Sequence, residues 1–279
     1  QAGSYLAEKQ GYMNKLIVPH VVRLEAARAF IEETAHRLDE GEPELQTEGA
    51  IVKLFATEAG NAAADAAIQA HGGYGYTREY EVEKIRRDVR ITTIYEGTSE
   101  IMQWTVSRDR WRLHLQEHGQ YYKKIAAGLE TLHREDPQVG ADAAALAVNV
   151  VQETCERCRV GRLTRNQHVL FQLGELMTRA EIAANFARYA AGKGAPKYQP
   201  FFAPSALKAM SRICAREAAL DALGIAVRLV RGMDAVDDAG MGEFERALKA
   251  SAINASAKGL MADMDVVAKA LIEQDAARA

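Results

Sequence analysis

The stretch Ile94-Tyr95-Glu96-Gly97-Thr98-Ser99-Glu100-Ile101 holds the residues best placed to do chemistry. A carboxylate stands directly before a glycine, on a turn that leads into a helical pattern. A carboxylate held on such a turn can act as a general base when burial raises its proton affinity. A second stretch, Gln69-Ala70-His71-Gly72-Gly73-Tyr74-Gly75-Tyr76, packs three glycines into four residues. Such glycines end a helix, and they also let backbone approach a ligand closely. The spacing is neither a Walker nor a Rossmann fingerprint. Two readings therefore stand, a helix cap with a turn, or a backbone contact to phosphate or ribose. His71 taken alone reads as a capping histidine.

Cys155-x-x-Cys158 invites a metal or redox reading. It has no second CxxC and no His pair at ligand spacing nearby, and it lies inside a helical pattern, so it reads as packing. With Cys214 the chain has three cysteines, a small odd number that points to a reducing compartment.

The elements that must position these motifs are helical. Ile17, Val21, Leu24, Ala27, Ile31, Ala35 and Leu38 step by threes and fours and predict a helix over 16–40, stopped by Gly41 and Pro43. A second helix is predicted over 46–71, with Val52, Phe55, Ala59, Ala62 and Ala66 on its apolar face. Residues 79–90 read as one or two helical turns. There Arg86, Arg87, Asp88 and Arg90 read as a solvated face or as ion pairs that set the loop beyond, with ion pairing the favoured reading. The β-branched run Ile91-Thr92-Thr93-Ile94 predicts an extended connection to Glu96, and Thr98 or Ser99 caps the next helix. Short connections between such helices point to an antiparallel bundle.

The 279 residues are 48% hydrophobic and 26% charged, with only 6 prolines, which describes a globular, helix-rich chain. A net charge of −3 supplies no basic field for nucleic acid. No apolar run approaches the roughly 20 residues of a membrane span.

The two motifs, in this order and about twenty residues apart, with Arg87-Asp88 ahead of the second, resemble the C-terminal helical domain of the acyl-CoA dehydrogenases over 51–110. The resemblance implies an all-α fold and an FAD enzyme that turns a medium- to long-chain acyl-CoA into a trans-2-enoyl-CoA in fatty-acid β-oxidation. By that resemblance Glu96 removes the pro-R α-proton while the β-hydrogen leaves as hydride to flavin N5. The Glu96 backbone N–H also helps to hold the enolate oxygen, and Gly97 lets substrate pass. Gln69, Ala70, His71, Gly72 and Gly73 are implied to contact FAD of a neighbouring subunit, and Thr98, Ser99 and Glu100 to approach a flavin. The implied partners are acyl-CoA, an electron-transfer flavoprotein and further copies of the chain, as a homodimer or homotetramer. Bacterial cytoplasm or mitochondrial matrix is the implied compartment. Lys9, in the segment Tyr5–Met13, stands where the family has a flavin-contacting arginine. The family's N-terminal helical domain and middle β-barrel are not in the sequence, so the chain reads as part of a larger enzyme, without turnover of its own.

Residues 1–118 are assigned to this domain and 119–279 to an additional helical domain. Residues 111–135 read as a polar-aromatic bridge. Helices are expected near 140–160, 165–191, 203–231 and 240–274, with Asp234, Asp237 and Asp238 in a solvated connector. Arg165–Leu170 and Ile213–Ala219 resemble, more weakly, the extra domain of very-long-chain acyl-CoA dehydrogenases. The 192–204 loop, with Lys193, Lys197, Tyr198, Phe201 and Phe202, reads as an interhelical connection, with contact to a membrane surface as the alternative. An acyl-CoA oxidase on the same fold, and a non-catalytic helical assembly module, are the rival readings of the whole.

Overall fold

The computed structural model describes residues 4–195 and 200–276, and among these there is no strand. Helix α1 (Val18–Asp39) follows a π-helical turn at Met13–Ile17, with Pro19 in its first turn, where no backbone donor is lost. Gly41, at φ 81°, turns the chain into α2 (Gln46–His71). Then come α3 (Val82–Arg90), α4 (Ser99–Gln116), α5 (Gln120–Glu135), α6 (Ala141–Gly161), α7 (Gln167–Ala190) and α8 (Pro204–Gly232). Three shorter helices close the chain: α9 (Asp238–Ala247), α10 (Ala250–Ser256) and α11 (Leu260–Ala276).

Helices α1, α2 and α4 pack together and lean on α7, which also packs against α6 and α8. Val169, Leu173, Leu176, Met177, Ile182 and Phe186 of α7 are all buried, so this helix is apolar nearly all round and sits at the centre. Its crossing with α4 is very close. A Cβ at Gly174 would stand 2.1 Å from the Gln103 carbonyl oxygen, so only glycine permits that approach. One buried cluster runs from Val18, Val22 and Ile51 through Val106 and Tyr122 to Leu173, Met210 and Val267, drawing on residues from both sides of position 118.

Several sequence expectations need correction. The buried face of α1 is Val18, Val22, Ala26, Ala29 and Phe30, whereas Leu24, Ile31 and Leu38 are exposed. Apolar residues occur in adjacent pairs along this helix, and the pattern alone does not say which member of each pair faces inward. On α2, Ile51 and Leu54 are fully buried, ahead of the expected Val52 and Phe55. Ile91–Thr93 is a 3-10 turn and not an extended link. The expected bridge at 111–135 contains α5, which buries Tyr122, Leu129 and Leu132. The single helix expected over 240–274 is broken where Lys249 (φ 57°) and Gly259 (φ 84°) turn left-handed. Asp237 caps α9 by accepting from the Gly240 N–H at 2.8 Å, so the acidic connector starts a helix. Lys197 and Tyr198 lie outside the described residues. Cys155 and Cys158 are buried free thiols, and burial pushes the Cys158 thiol up to about 12.

The helices meet around one buried cation. Arg110 of α4 donates to Glu181 of α7 through two bonds of 2.8 Å and to Glu48 of α2 at 3.0 Å. Tyr122 of α5 donates to the same Glu181 at 3.0 Å, and the guanidinium lies 5.0 Å from the Tyr121 ring centre. All three charged side chains are less than 10% exposed. Burial alone would lower the Arg110 proton affinity, but the Glu181 carboxylate outweighs it and the net direction is upward. Removing the cation leaves buried Glu181 with no cation and only tyrosine hydroxyls, and leaves Glu48 with the longer 3.4 Å contact to Arg37. Arg110→Met should therefore cost about 3–5 kcal/mol in urea unfolding; a loss below about 1 kcal/mol would show that the network does not hold these helices.

Candidate functional site

Glu96 sits on the turn between α3 and α4. Ile91–Thr93 forms its 3-10 entry, and the Ile94 and Tyr95 N–H groups both return to the Ile91 carbonyl, at 2.9 and 3.1 Å. Thr98 caps α4, its hydroxyl accepting from the Ile101 N–H at 3.4 Å. Between these two anchors Glu96 adopts φ 53° and Gly97 φ 107°. A left-handed non-glycine residue costs of order 1–3 kcal/mol and persists only where its surroundings fix it. At Gly97 a Cβ would also meet Met102 Cε at 2.5 Å. The turn is therefore specified twice over, by backbone conformation and by space.

What fixes it is a polar stripe along α2. Lys53, Thr57, Asn61 and Asp65 recur every four residues and so share one face of that helix. The Lys53 ammonium donates to the Gly97 carbonyl. Asn61, buried, donates from Nδ2 to the Val89 carbonyl at 2.9 Å and to Thr92 Oγ1 at 3.3 Å, and its Oδ1 accepts from Arg86 at 2.9 Å. Arg86 also reaches Asp65 at 3.4 Å. One position further round, Glu58 accepts from the Ser99 hydroxyl. Arg90 donates to Thr93 Oγ1, and Arg87 pairs with Glu83 at 2.9 Å. Arg86 and Arg90 thus anchor this segment, whereas Arg87 pairs only within its own helix, and the residues of α2 that receive the segment went unread in the sequence. Their signal was the four-residue polar spacing inside an otherwise alanine-rich helix.

Glu96 itself is exposed, and its carboxylate has no hydrogen-bond or ion-pair partner among the described residues. The burial that would raise its basicity is not provided by these residues. Around it Ile91, Ile94, Tyr95, Ile101 and Trp104 are exposed as well, an apolar face beside the carboxylate. Next to this face Thr98, Ser99 and Glu100 line a polar cleft of about 380 Å³ together with Glu58, Asn61, Arg86 and Arg90. The Glu100 carboxyl is held below the usual carboxylate range by its own backbone N–H and then by the Thr98 hydroxyl. Another cleft of about 490 Å³, lined by Phe30, Tyr121, Leu129 and Glu181, shares no residue with it and carries none of the motif.

The glycine motif closes α2 at its other end. Gly72, at φ 59° and ψ −139°, is the C-cap, and its N–H returns to the Gln69 carbonyl at 3.1 Å. A Cβ at Gly75 would lie 2.4 Å from the Ile68 carbonyl oxygen. At Gly73 a Cβ would meet nothing within 4 Å, so nothing in the described structure requires glycine there. His71 Nδ1 lies 2.8 Å from the Ala67 carbonyl oxygen, a capping contact, and Gln69, Gly72 and Gly73 are exposed. From Glu58 to Gln69 is eleven residues of one helix, roughly 17 Å. The structure does not bring the two motifs into one pocket; it sets them at separate points along α2.

Among the described residues no group of His, Cys, Asp and Glu could hold a metal ion, and no helix is long and apolar enough to cross a membrane.

Residues 1–110 match the family model described as acyl-CoA dehydrogenase, C-terminal domain. Acryloyl-CoA reductase (NADH) of Anaerotignum propionicum is 40% identical over 109 residues, 39% of this chain and 27% of that protein. The caffeyl-CoA reductase-Etf complex subunit CarC of Acetobacterium woodii is 37% identical over 107 residues, 38% of this chain and 28% of that protein. The chain thus spans roughly a quarter of the length of the curated relatives it matches. An acyl-CoA dehydrogenase from Bacillus anthracis, solved in complex with FAD, shares the fold. It has a TM-score of 0.69 at 17% identity, over 98% of this chain and 50% of that one.

The doubly specified turn gives a direct test. Gly97→Ala should destabilise the chain by about 1–3 kcal/mol in urea unfolding, because alanine at a positive φ is strained even after Met102 moves aside. Native stability in that variant would show that the turn does not need its left-handed glycine.

Proposed function

We propose that residues 1–110 supply the base-bearing part of an FAD-dependent oxidoreductase that interconverts an acyl-CoA and its α,β-unsaturated counterpart. The observation that carries the reading is Glu96. A free carboxylate is held on a strained, clamped turn, at the edge of an exposed apolar face. Strain of this kind persists where a group must be presented in one position.

In this reading Glu96 takes the α-proton on its carboxylate, and its backbone N–H stands ready to donate to the thioester oxygen as that oxygen gains charge. Gly97, without a side chain, leaves room beside the carboxylate for the reacting carbons. The apolar surface of Ile94, Tyr95, Ile101 and Trp104 excludes water once it is covered, which raises the basicity of the carboxylate. FAD, when bound, supplies the acceptor for the two electrons that leave with the β-hydrogen.

The residues present fit such a dinucleotide. Gly73 leaves open a space that a Cβ would fill, Gln69 is exposed beside it, and Thr98, Ser99 and Glu100 line a polar cleft with two arginines. The separation of these groups along α2 suits an extended cofactor, or cofactors of two copies, better than a compact ligand. The covering segments that complete the site belong to the same polypeptide or to an assembled partner. An electron-transfer flavoprotein is the proposed redox partner; a relative's name places it in an Etf complex. Homo-oligomeric assembly, a preference for medium to long acyl chains, a place in β-oxidation and a cytoplasmic or matrix location rest on the resemblance alone.

Glu96→Gln tests the assignment in the flavin-loaded protein. The variant should keep its flavin absorbance and lose reduction by acyl-CoA by roughly 10²–10⁴-fold, the usual weight of a general base. Reduction at a near-native rate would remove Glu96 from the mechanism.

A further inference from the structure

We propose that Lys53 is the positioning residue that holds the Glu96 turn in its working geometry, which extends the reading of Glu96 as the base. Among the described residues no backbone hydrogen bond begins or ends on Glu96 or Gly97, although those on either side are tied, Tyr95 to Ile91 and Met102 to Thr98. Among the described residues the only hydrogen bond that reaches the Glu96–Gly97 segment from elsewhere is the one from Lys53 to the Gly97 carbonyl. It comes from the N-terminal third of α2, a 26-residue helix whose Ile51 and Leu54 are buried in the core. The lysine is therefore a strut between a rigid helix and the one unsupported step of the turn.

The choice of acceptor is informative. The ammonium lies within electrostatic reach of Glu58, Glu100 and Glu96, yet it bonds to a neutral carbonyl. Two of these carboxylates are served by other donors: Glu58 takes the Ser99 hydroxyl, and Glu100 its own N–H and the Thr98 hydroxyl. Glu96 is left free, as a base must be. Burial lowers the Lys53 proton affinity, and a partly desolvated ammonium binds a carbonyl more firmly than a hydrated one. A bond at Gly97 also fixes the direction of the Gly97–Thr98 peptide. That peptide leads directly out of the left-handed pair, so holding it ties the pair to α2.

The ammonium can be removed while an unbranched side chain, one atom shorter, is kept. In ¹⁵N relaxation measurements on the 279-residue chain, native Tyr95–Thr98 should show order parameters near 0.85, those of rigid backbone. In Lys53→Met they should fall below about 0.6 at these residues and stay unchanged elsewhere on α2 and α4. Lys53→Arg, which keeps a cation and donors on a comparable stem, should restore the rigid values. In the flavin-loaded protein Lys53→Met should lower kcat roughly tenfold or more with KM and flavin content unchanged, since a displaced base weakens the transition state and not substrate binding. Unchanged order parameters in Lys53→Met would overturn the proposal, and so would loss of order throughout the chain, which would make Lys53 a general packing residue. A failure of Glu96 as the base is read separately, from Glu96→Gln with Lys53 intact. In that case a mobile turn in Lys53→Met would come without any change in kcat.

Discussion

The Arg110 guanidinium, buried between Glu48 and Glu181, is the interaction on which the placement of the remaining parts depends. It joins α4 to α2 and α7, and the Tyr122 hydroxyl brings α5 to the same carboxylate. Such a network is not a large net source of stability, because three charges had to leave water to form it. What it gives is registry. A greasy contact between α4 and α7 could slide by a turn, but one guanidinium with two carboxylates cannot. Close approach at Gly174 demands the same registry, since the Gln103 carbonyl fits only where the side chain is missing.

That registry reaches the candidate site through the stiffness of α4. Thr98 and Arg110 are the cap and an interior residue of one 18-residue helix, twelve positions apart and so roughly 18 Å along a rigid rod. Fixing Arg110 fixes the capping residue, and fixing α2 against it fixes the polar stripe that faces the turn. The turn is thus held between two helices that are themselves locked by Glu48 and Arg110, one on each. Local strain at Glu96 is sustained by contacts among residues far apart in sequence. Lys53 and Gly97 are separated by 44 residues, and Arg110 and Glu181 by 71.

This distance in sequence decides what could be read in advance. The bounds of α2 were legible, because Gly41 and Pro43 stop the helix before it and Gly72 must take a positive φ at its end. A cap at Thr98 or Ser99 was legible from residue type and from the apolar pattern after it, and the structure chooses Thr98. The inward face of α1 was not, because Val21 and Val22, or Phe30 and Ile31, satisfy the same spacing and only the packing of α2 and α7 chooses between them. The break at Lys249 was hidden for another reason: a lysine in left-handed conformation carries no local signature. The Arg110 network was beyond reach, since its partners are identified only when three helices meet. The stripe of Lys53, Asn61 and Asp65 lies between these cases. Its four-residue spacing is visible in the sequence, but its purpose appears only when the turn lies against it.

The chain supplies position and leaves environment to be supplied. A carboxylate in water is a weak base, and the basicity needed to remove a proton beside a thioester comes from desolvation. The clamped turn makes no attempt at desolvation: Glu96 is exposed, and so are Ile94, Tyr95, Ile101 and Trp104 around it. Geometry and dielectric are therefore contributed by different surfaces. The geometry depends on bonds within α2, α3 and α4 and is the same whatever covers it. The dielectric depends on whatever covers the exposed apolar face.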